Sequence, residues 1–252
     1  MLFKTYLGTG ILASGVTATT LQWRDHIMAC STPQPTEEQK AVAKEFSLQE
    51  AASRSSGLTM QADINVEVYL HSIASTESDL LSEATLQEQF KVLVTDFAPS
   101  GIKFHLASIT KAVNSTWAKD GDEQGMKQAL RKGNYRDLNL YFLKDLNGGY
   151  CYLPMNAPKG STEFLLDGCS IEAGRVTGGT NPYFRMGKTA VHETGHWFGL
   201  LHTFEGGCIG EGDFVEDTPA QAGSSFGCPI GRNSCSAPGL DPIHNYMDYS
   251  DQ

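Results

Sequence analysis

The chain has 252 residues, 40% of them hydrophobic, and a formal net charge of −10. That length and composition suit one sizeable core, or one domain with an added lobe. The Lys and Arg residues do not cluster, which argues against a nucleic-acid partner, and no apolar run is long enough to span a bilayer.

The first stretch, MLFKTYLGTGILASGVTATT, has a short basic start at Lys4, a modest apolar run from Tyr6 to Val16 and small residues at Val16-Thr17-Ala18. It reads as a secretory signal peptide over residues 1–18; the alternative is a disordered or partly buried N-terminus. Residues 19–60 are polar and hold few large apolar side chains, with one helical stretch from Glu37 to Ala52. They read as a pro-segment or flexible N-terminal region. The globular pattern then occupies residues 61–252.

In DINVEVYLHSIAS, Ile64, Val66, Val68 and Leu70 alternate with Asn65, Glu67 and Tyr69, the periodicity of a strand. Leu86, Phe90, Leu93, Val94 and Phe97 follow at helical spacing, and Pro99 and Gly101 end that helix. GIKFHLASIT predicts a second strand, GDEQGMKQALRKGN a shorter helix closed by Gly133, DLNLYFLKDL a third strand, GGYCYLP a fourth and GCSIEAGRV a fifth. A helix from about Arg185 to Leu200 comes next. From Glu205 onward the chain is loop-like and rich in Gly, Pro, Ser and Asp. Strands and helices alternating around one long late helix predict an α/β domain with a mixed sheet, an irregular second lobe, and a cleft between them.

Six cysteines (Cys30, Cys151, Cys169, Cys208, Cys228 and Cys235) and the acceptor Asn114-Ser115-Thr116 agree with secretion and possible glycosylation at Asn114. No tight Cys-x-x-Cys pair of a zinc ribbon occurs.

The chemistry concentrates in HETGHWFGLLHTF, His192 to Phe204. On a helix, residues four apart share a face, so His192 and His196 present two imidazoles to one point. Glu193 sits beside them, rotated to reach a bound water as general base. Gly199 can take a left-handed conformation, end the helix and let His202 swing back as third ligand. Three protein ligands leave a fourth position for water, the arrangement of catalytic zinc, which lowers the pKa of that water towards about 7. A single helical histidine would be ordinary packing; the whole H-E-x-x-H-x-x-G-x-x-H string is highly specific. His26, His71, His105 and His244 read as structural or exposed, and Trp197, Phe198, Leu200 and Leu201 as core on the far side of the zinc helix.

This string resembles the metzincin zinc metalloproteases, whose methionine turn matches Met247 in HNYMDYSDQ. GKTAVHETGHWFGLLHTFEGGC, GDFVEDTP and NYMDYS narrow the resemblance to the pappalysin (cytophagalysin) branch, secreted fungal type, from Asp63 onward. The resemblance implies a metzincin-like catalytic domain: a mixed, mostly parallel twisted sheet, a long zinc-binding helix and an irregular, disulfide-containing lower lobe. It implies a secreted, extracellular, monomeric zinc endopeptidase acting on protein or peptide substrates, with no nucleic-acid or membrane partner. Tyr249 would stabilise the transition-state oxyanion. A calcium ion would lie at Asp213, the Val215 carbonyl and Thr218, with Asp217 nearby; a merely solvated acidic loop is the other reading.

The resemblance also implies the disulfide Cys208–Cys235, and pairs Cys228 with a cysteine beyond the methionine turn and a C-terminal helix, so that the sequence reads as truncated at Gln252 or as closing its lower lobe differently. Cys151 could pair with Cys169. Cys30 is then left over, and the resemblance offers it a role as fourth zinc ligand in a latent form, although the family's Cys-Gly is Cys30-Ser31 here. A Cys30–Cys228 disulfide or a free thiol are the alternatives. Two other functions stay open: a catalytically impaired zinc-binding decoy or interaction protein, and a zinc-stabilised structural domain, which would want four protein ligands.

Overall fold

The computed structural model describes residues 30–56 and 64–250. The signal-peptide pattern and His26 lie outside the described residues.

Among the described residues the elements follow one another as α1 (Glu37–Ser55), β1 (Ile64–Ala74), α2 (Glu83–Phe97), β2 (Ile102–Val113), α3 (Glu123–Leu130), β3 (Leu138–Leu143), β4 (Gly149–Cys151), α4 (Thr162–Leu166), β5 (Cys169–Glu172) and α5 (Lys188–Trp197). Five strands form one sheet in the order β2-β1-β3-β5-β4. β1 runs parallel to β2 and β3, β3 runs parallel to β5, and β4 alone is antiparallel, lying against β5 at the edge. The sheet is therefore mixed and mostly parallel.

Parallel neighbours need a crossover, and α2 supplies the one between β1 and β2. Ser82 starts that helix by accepting the Thr85 N–H at 3.0 Å; Gly101, at φ 73°, turns the chain back after Pro99. Leu86 and Leu93 of α2 pack with Val66, Val68, Leu140, Phe142, Ile171 and Ala190 in the main core. A second cluster, Ile73, Met126, Tyr141 and Leu143, forms under α3. With both faces covered, all six residues of β3 are buried, which is why LNLYFL reads as a continuous run rather than an alternation. Ile64 departs from the expected alternation and is exposed, because it lies at the very start of β1.

Two buried ion pairs secure the end of the sheet that carries β4. Lys127 reaches Glu123 at 2.8 Å, and Arg131 reaches Asp167 at 2.8 Å. Asp167 also accepts the Trp197 indole N–H at 3.0 Å, tying the end of α5 to the segment before β5.

Helix α1 extends beyond the expected Glu37–Ala52 and carries a full capping box between Thr36 and Gln39. It buries no residue. It lies on the body through the Gln39 amide, which donates to the Leu153 and Pro154 carbonyls at 3.3 Å, and through Lys44–Glu211 and Arg54–Glu216 at 2.5 and 2.7 Å. These ion pairs are solvent-exposed and each contributes about 0–1 kcal/mol. After Phe204 the described chain has turns and bends but no helix or strand, and Cys208–Cys235 closes part of it with a Cα–Cα separation of 5.3 Å.

Candidate metal centre

Helix α5 is shorter than the expected Arg185–Leu200, beginning at Lys188 after Gly187 in the left-handed region. It sets His192 and His196 one turn apart, their Nε2 atoms separated by 3.2 Å. Gly199 takes φ 95°, its N–H donating to the His196 carbonyl at 2.8 Å, while Leu200 N–H reaches Gly195 O at 3.0 Å. This turn brings His202 Nε2 to 3.1 Å from His196 Nε2. Leu200 is not core: the turn exposes its side chain and uses its carbonyl as the acceptor for His196 Nδ1–H at 2.8 Å.

His192 Nδ1–H likewise donates to Tyr246 O at 2.6 Å, and the His202 ring stacks on Phe204 with centroids 4.8 Å apart. With Nδ1 donating to a carbonyl, the neutral imidazoles of His192 and His196 carry lone pairs at Nε2. Burial holds all three histidines well below the usual range, His192 at about 4 and His202 at about 3, each pressed further by a neighbouring imidazole or cation. Nε2 lone pairs packed at 3.1–3.2 Å repel unless a cation lies between them. Tetrahedral zinc with Zn–N of about 2.05 Å places ligand nitrogens about 3.3 Å apart, so the donor set fits that ion in chemistry and in spacing.

A fourth donor is present. Cys30 Sγ lies 3.4 Å from His196 Nε2, and Cys30, His192, His196 and His202 offer ligand atoms all within 4.8 Å of one another. Among the described residues this is the group of three or more His, Cys, Asp and Glu side chains close enough to hold an ion. Cys30 and Cys228 are both free thiols, the latter exposed, so no disulfide joins them.

Glu193 is fully buried, and burial pushes its carboxyl up to about 8, with Cys30 and Thr32 hydrogen bonds and Arg175 opposing. A cation beside it would draw that value down again. Its Oε2 accepts the Thr32 hydroxyl at 3.2 Å and faces Cys30 Sγ at 3.6 Å. Its Oε1 faces Gly149 of β4, where a Cβ would come within 2.6 Å. The N-terminal segment follows this edge strand: Ser31 N–H donates to Gly149 O at 2.7 Å, and Cys151 N–H donates to Thr32 Oγ1 at 2.9 Å. Cys151 is also bonded to Cys169, linking β4 to β5.

Beneath the histidines, Met247 is buried with its sulfur against Gly195, leaving no room there for a side chain. Asn245 Oδ1 accepts the Met247 N–H at 2.9 Å. Asp248, buried, accepts from Ser225 N–H, Tyr249 N–H and the Gln221 amide at 2.9, 2.8 and 3.0 Å. Tyr249 Oη stands 3.1 Å from His202 Nε2 and 3.4 Å from Cys30 O, to which it donates.

The structure thus brings together His192, Glu193, His196, Gly199, His202, Met247, Tyr249 and Cys30. The calcium positions form a separate loop, in which Asp213 is buried and accepts the Val215 N–H at 3.0 Å, Thr218 N–H donates to Val215 O at 3.1 Å, and Asp217 is exposed. Asn114 lies just past β2 with its side-chain oxygen accepting from Thr116 and Trp117 N–H. His71 is buried against Asn139, and His105 and His244 are exposed. Sequence reasoning missed Thr32, Gly149, Gln221 and Asp248; none lies in the zinc string, and each acts through contacts far apart in the chain.

Residues 132–252 match the Peptidase_M43 family model, described as pregnancy-associated plasma protein-A. The chain is 49% identical over 257 residues to an extracellular metalloprotease of Pyricularia oryzae, covering 98% of this chain and 89% of that protein. It is 50% identical over 226 residues to extracellular metalloprotease 1 of Coccidioides posadasii, covering 88% and 81%. Among solved structures, mirolysin in complex with compound 9 matches with a TM-score of 0.61 and 27% identity over 75% of this chain and 85% of that one. A mutant of Tannerella forsythia promirolysin shares the fold at a TM-score of 0.65 and 24% identity, over 88% and 87%.

Proposed function

On the premise that the chain belongs to Peptidase_M43, the pappalysin (cytophagalysin) family of zinc metalloendopeptidases, we propose how its residues divide the work and how the described form is held inactive. The observation that carries the reading is the convergence of three imidazole Nε2 atoms, 3.1–3.2 Å from one to the next, beside one buried carboxylate.

His192, His196 and His202 hold the zinc, and the carbonyls of Tyr246 and Leu200 keep the first two rings turned toward it. The ion, when bound, supplies Lewis acidity that activates water and polarises the scissile carbonyl. Glu193, buried beside the three imidazoles, takes the proton from the attacking water and delivers it to the leaving amine. Tyr249, held by the Asp248 network beside His202, donates its hydroxyl to the oxyanion that develops on the substrate carbonyl. The substrate is a peptide segment lying along β4, whose Gly149 carbonyl and Cys151 N–H face the cleft and are taken by residues 31 and 32 here.

Residues 19–60 act as a pro-segment and residues 61–252 as the protease domain. Cys30 supplies the fourth ligand and keeps water from the metal, which supports a latent form. The relatives are named extracellular metalloproteases, and two disulfides suit an oxidising compartment; both favour secretion.

The test is hydrolysis of a generic protein substrate by the protein freed of its N-terminal segment. Activity is expected, and a zinc chelator or Glu193→Ala is expected to abolish it. Unchanged hydrolysis in Glu193→Ala would remove the proposed base. For latency, full-length Cys30→Ala is expected to hydrolyse substrate before any processing, where the unaltered full-length chain does not.

A further inference from the structure

An attacking water in this site has two partners, the metal and the general base. The Cys30 thiol stands at the first, 3.4 Å from His196 Nε2, and reaches the second, Glu193 Oε2, only at 3.6 Å. The second partner is also engaged, by a residue to which neither the string nor its resemblance assigns a role.

Thr32 is 9% exposed, although Ser31, Pro33 and Gln34 around it are exposed. Its Oγ1 lies 3.2 Å from Glu193 Oε2 and 2.9 Å from Cys151 N. A hydroxyl has one proton and two lone pairs, so it can donate to the carboxylate and accept from the amide at once. Pro33 holds the residue before it in an extended conformation and has no N–H of its own with which to continue pairing along β4. Beyond Ser31, the side chain of Thr32 therefore takes over the edge-strand contact at Cys151 N–H.

We propose that Thr32 is a second element of the latch: its hydroxyl takes the water's hydrogen-bonding place at Glu193 and hooks the N-terminal segment to β4. This rests on the latent role assigned above to Cys30. Each group proposed to act on substrate then has a blocking partner in the segment. Cys30 Sγ faces the histidines, Thr32 Oγ1 faces Glu193, and the Cys30 carbonyl accepts from Tyr249 Oη. Thr32 belongs to the resting form and is a positioning residue, not a catalytic one.

The experiment compares full-length chains carrying no change, Thr32→Val, Thr32→Ser, Cys30→Ala, and Cys30→Ala with Thr32→Val. Two quantities are read: the rate at which iodoacetamide alkylates Cys30, followed by peptide mass with and without a zinc chelator, and hydrolysis of a peptide before any processing. Valine keeps the shape of threonine and removes both hydrogen bonds; serine keeps the hydroxyl. Thr32→Val is expected to raise Cys30 alkylation about tenfold, in the chelated chain as well, as loss of the two hydrogen bonds made by one hydroxyl implies. Thr32→Ser is expected to stay within about twofold of the unaltered chain, which separates loss of the hydroxyl from a packing defect. Cys30→Ala is expected to hydrolyse peptide about tenfold more slowly than the double variant. If Thr32→Val alkylates like the unaltered chain and the double variant matches Cys30→Ala, Thr32 has no such role, while the latch at Cys30 stands. If Cys30→Ala is no more active than the unaltered chain, the latch at Cys30 itself falls.

Discussion

Gly149 gives the sharpest test of how Glu193, the proposed general base, is placed. Its backbone lies outside the left-handed region, so alanine meets no conformational obstacle there. The obstacle is Glu193: an added Cβ would lie 2.6 Å from Oε1 and 3.1 Å from both Cγ and Cδ. Ordinary contact begins at 3.4 Å, so the shortest approach is 0.8 Å too close (3.4 − 2.6). β4 cannot retreat freely, being paired to β5 and bonded to it through Cys151–Cys169. The carboxylate must therefore give way. Overpacking of this kind costs about 1–3 kcal/mol of stability, and a displacement near 1 Å in a catalytic group costs about a hundredfold in rate. Gly149→Ala in the processed enzyme is expected to lower kcat about ten- to a hundredfold, with KM changed far less and one zinc per chain retained. The assay is steady-state peptide hydrolysis alongside metal content and thermal unfolding. A kcat within twofold of the unaltered enzyme, in a folded and zinc-loaded variant, would refute the claim that β4 sets the position of Glu193.

Asp167→Ala is expected to cost about 3–5 kcal/mol, because it leaves the buried Arg131 guanidinium with carbonyl acceptors only, at 3.3–3.4 Å, and frees the Trp197 indole. Denaturant unfolding measures the loss, and a shift in Trp197 emission reports the local change. His71, held near 4 by burial while it donates to Asn139, should make stability depend on pH. Its folded value lies below the unfolded one, so the unfolded state binds more protons between about 6.5 and 4, and stability falls as pH drops through that window. The His71 share reaches about 2 kcal/mol at pH 5. Urea unfolding at pH 7 and pH 5 should show that much more loss in the unaltered chain than in His71→Gln; equal losses would contradict it.

The parts of the fold visible in the sequence are those where one face of an element decides its fate. Leu86, Leu93 and Phe97 at helical spacing, and Val66, Val68 and Leu70 at alternate positions, each meet the same core. The short α4 escaped notice because five residues carry too little periodicity; the side chain of Ser161 caps it at the Phe164 N–H. Leu200 is exposed where its hydrophobicity predicts core, because hydrophobicity says nothing about the turn that Gly199 imposes. The candidate site was readable because His192, Glu193, His196 and His202 lie within 11 residues and their geometry follows from helix pitch and one glycine. Thr32 and Gly149 were not, since each meets Glu193 across 161 and 44 positions of sequence (193 − 32 and 193 − 149).

The lower lobe shows why a site can be stiff without regular secondary structure. A metal ligand needs its ring held at one angle, and in His192, the first proposed ligand, that task falls to a loop carbonyl, Tyr246 O at 2.6 Å. A carbonyl in a loop is only as fixed as the loop. Here Asn245 turns back onto Met247 N–H, Met247 fills the space left by Gly195, and Asp248 is held by Ser225, Tyr249 and Gln221. Gln221 also accepts from Thr203, the residue after His202. The segment carrying His202 and the support of His192 therefore share one buried polar network. Such a network is stable only when all its members are satisfied, so disturbing Gln221 or Asp248 acts on His192, His202 and Tyr249 together. That coupling explains how a stretch made of turns can serve the same centre as the regular helix above it.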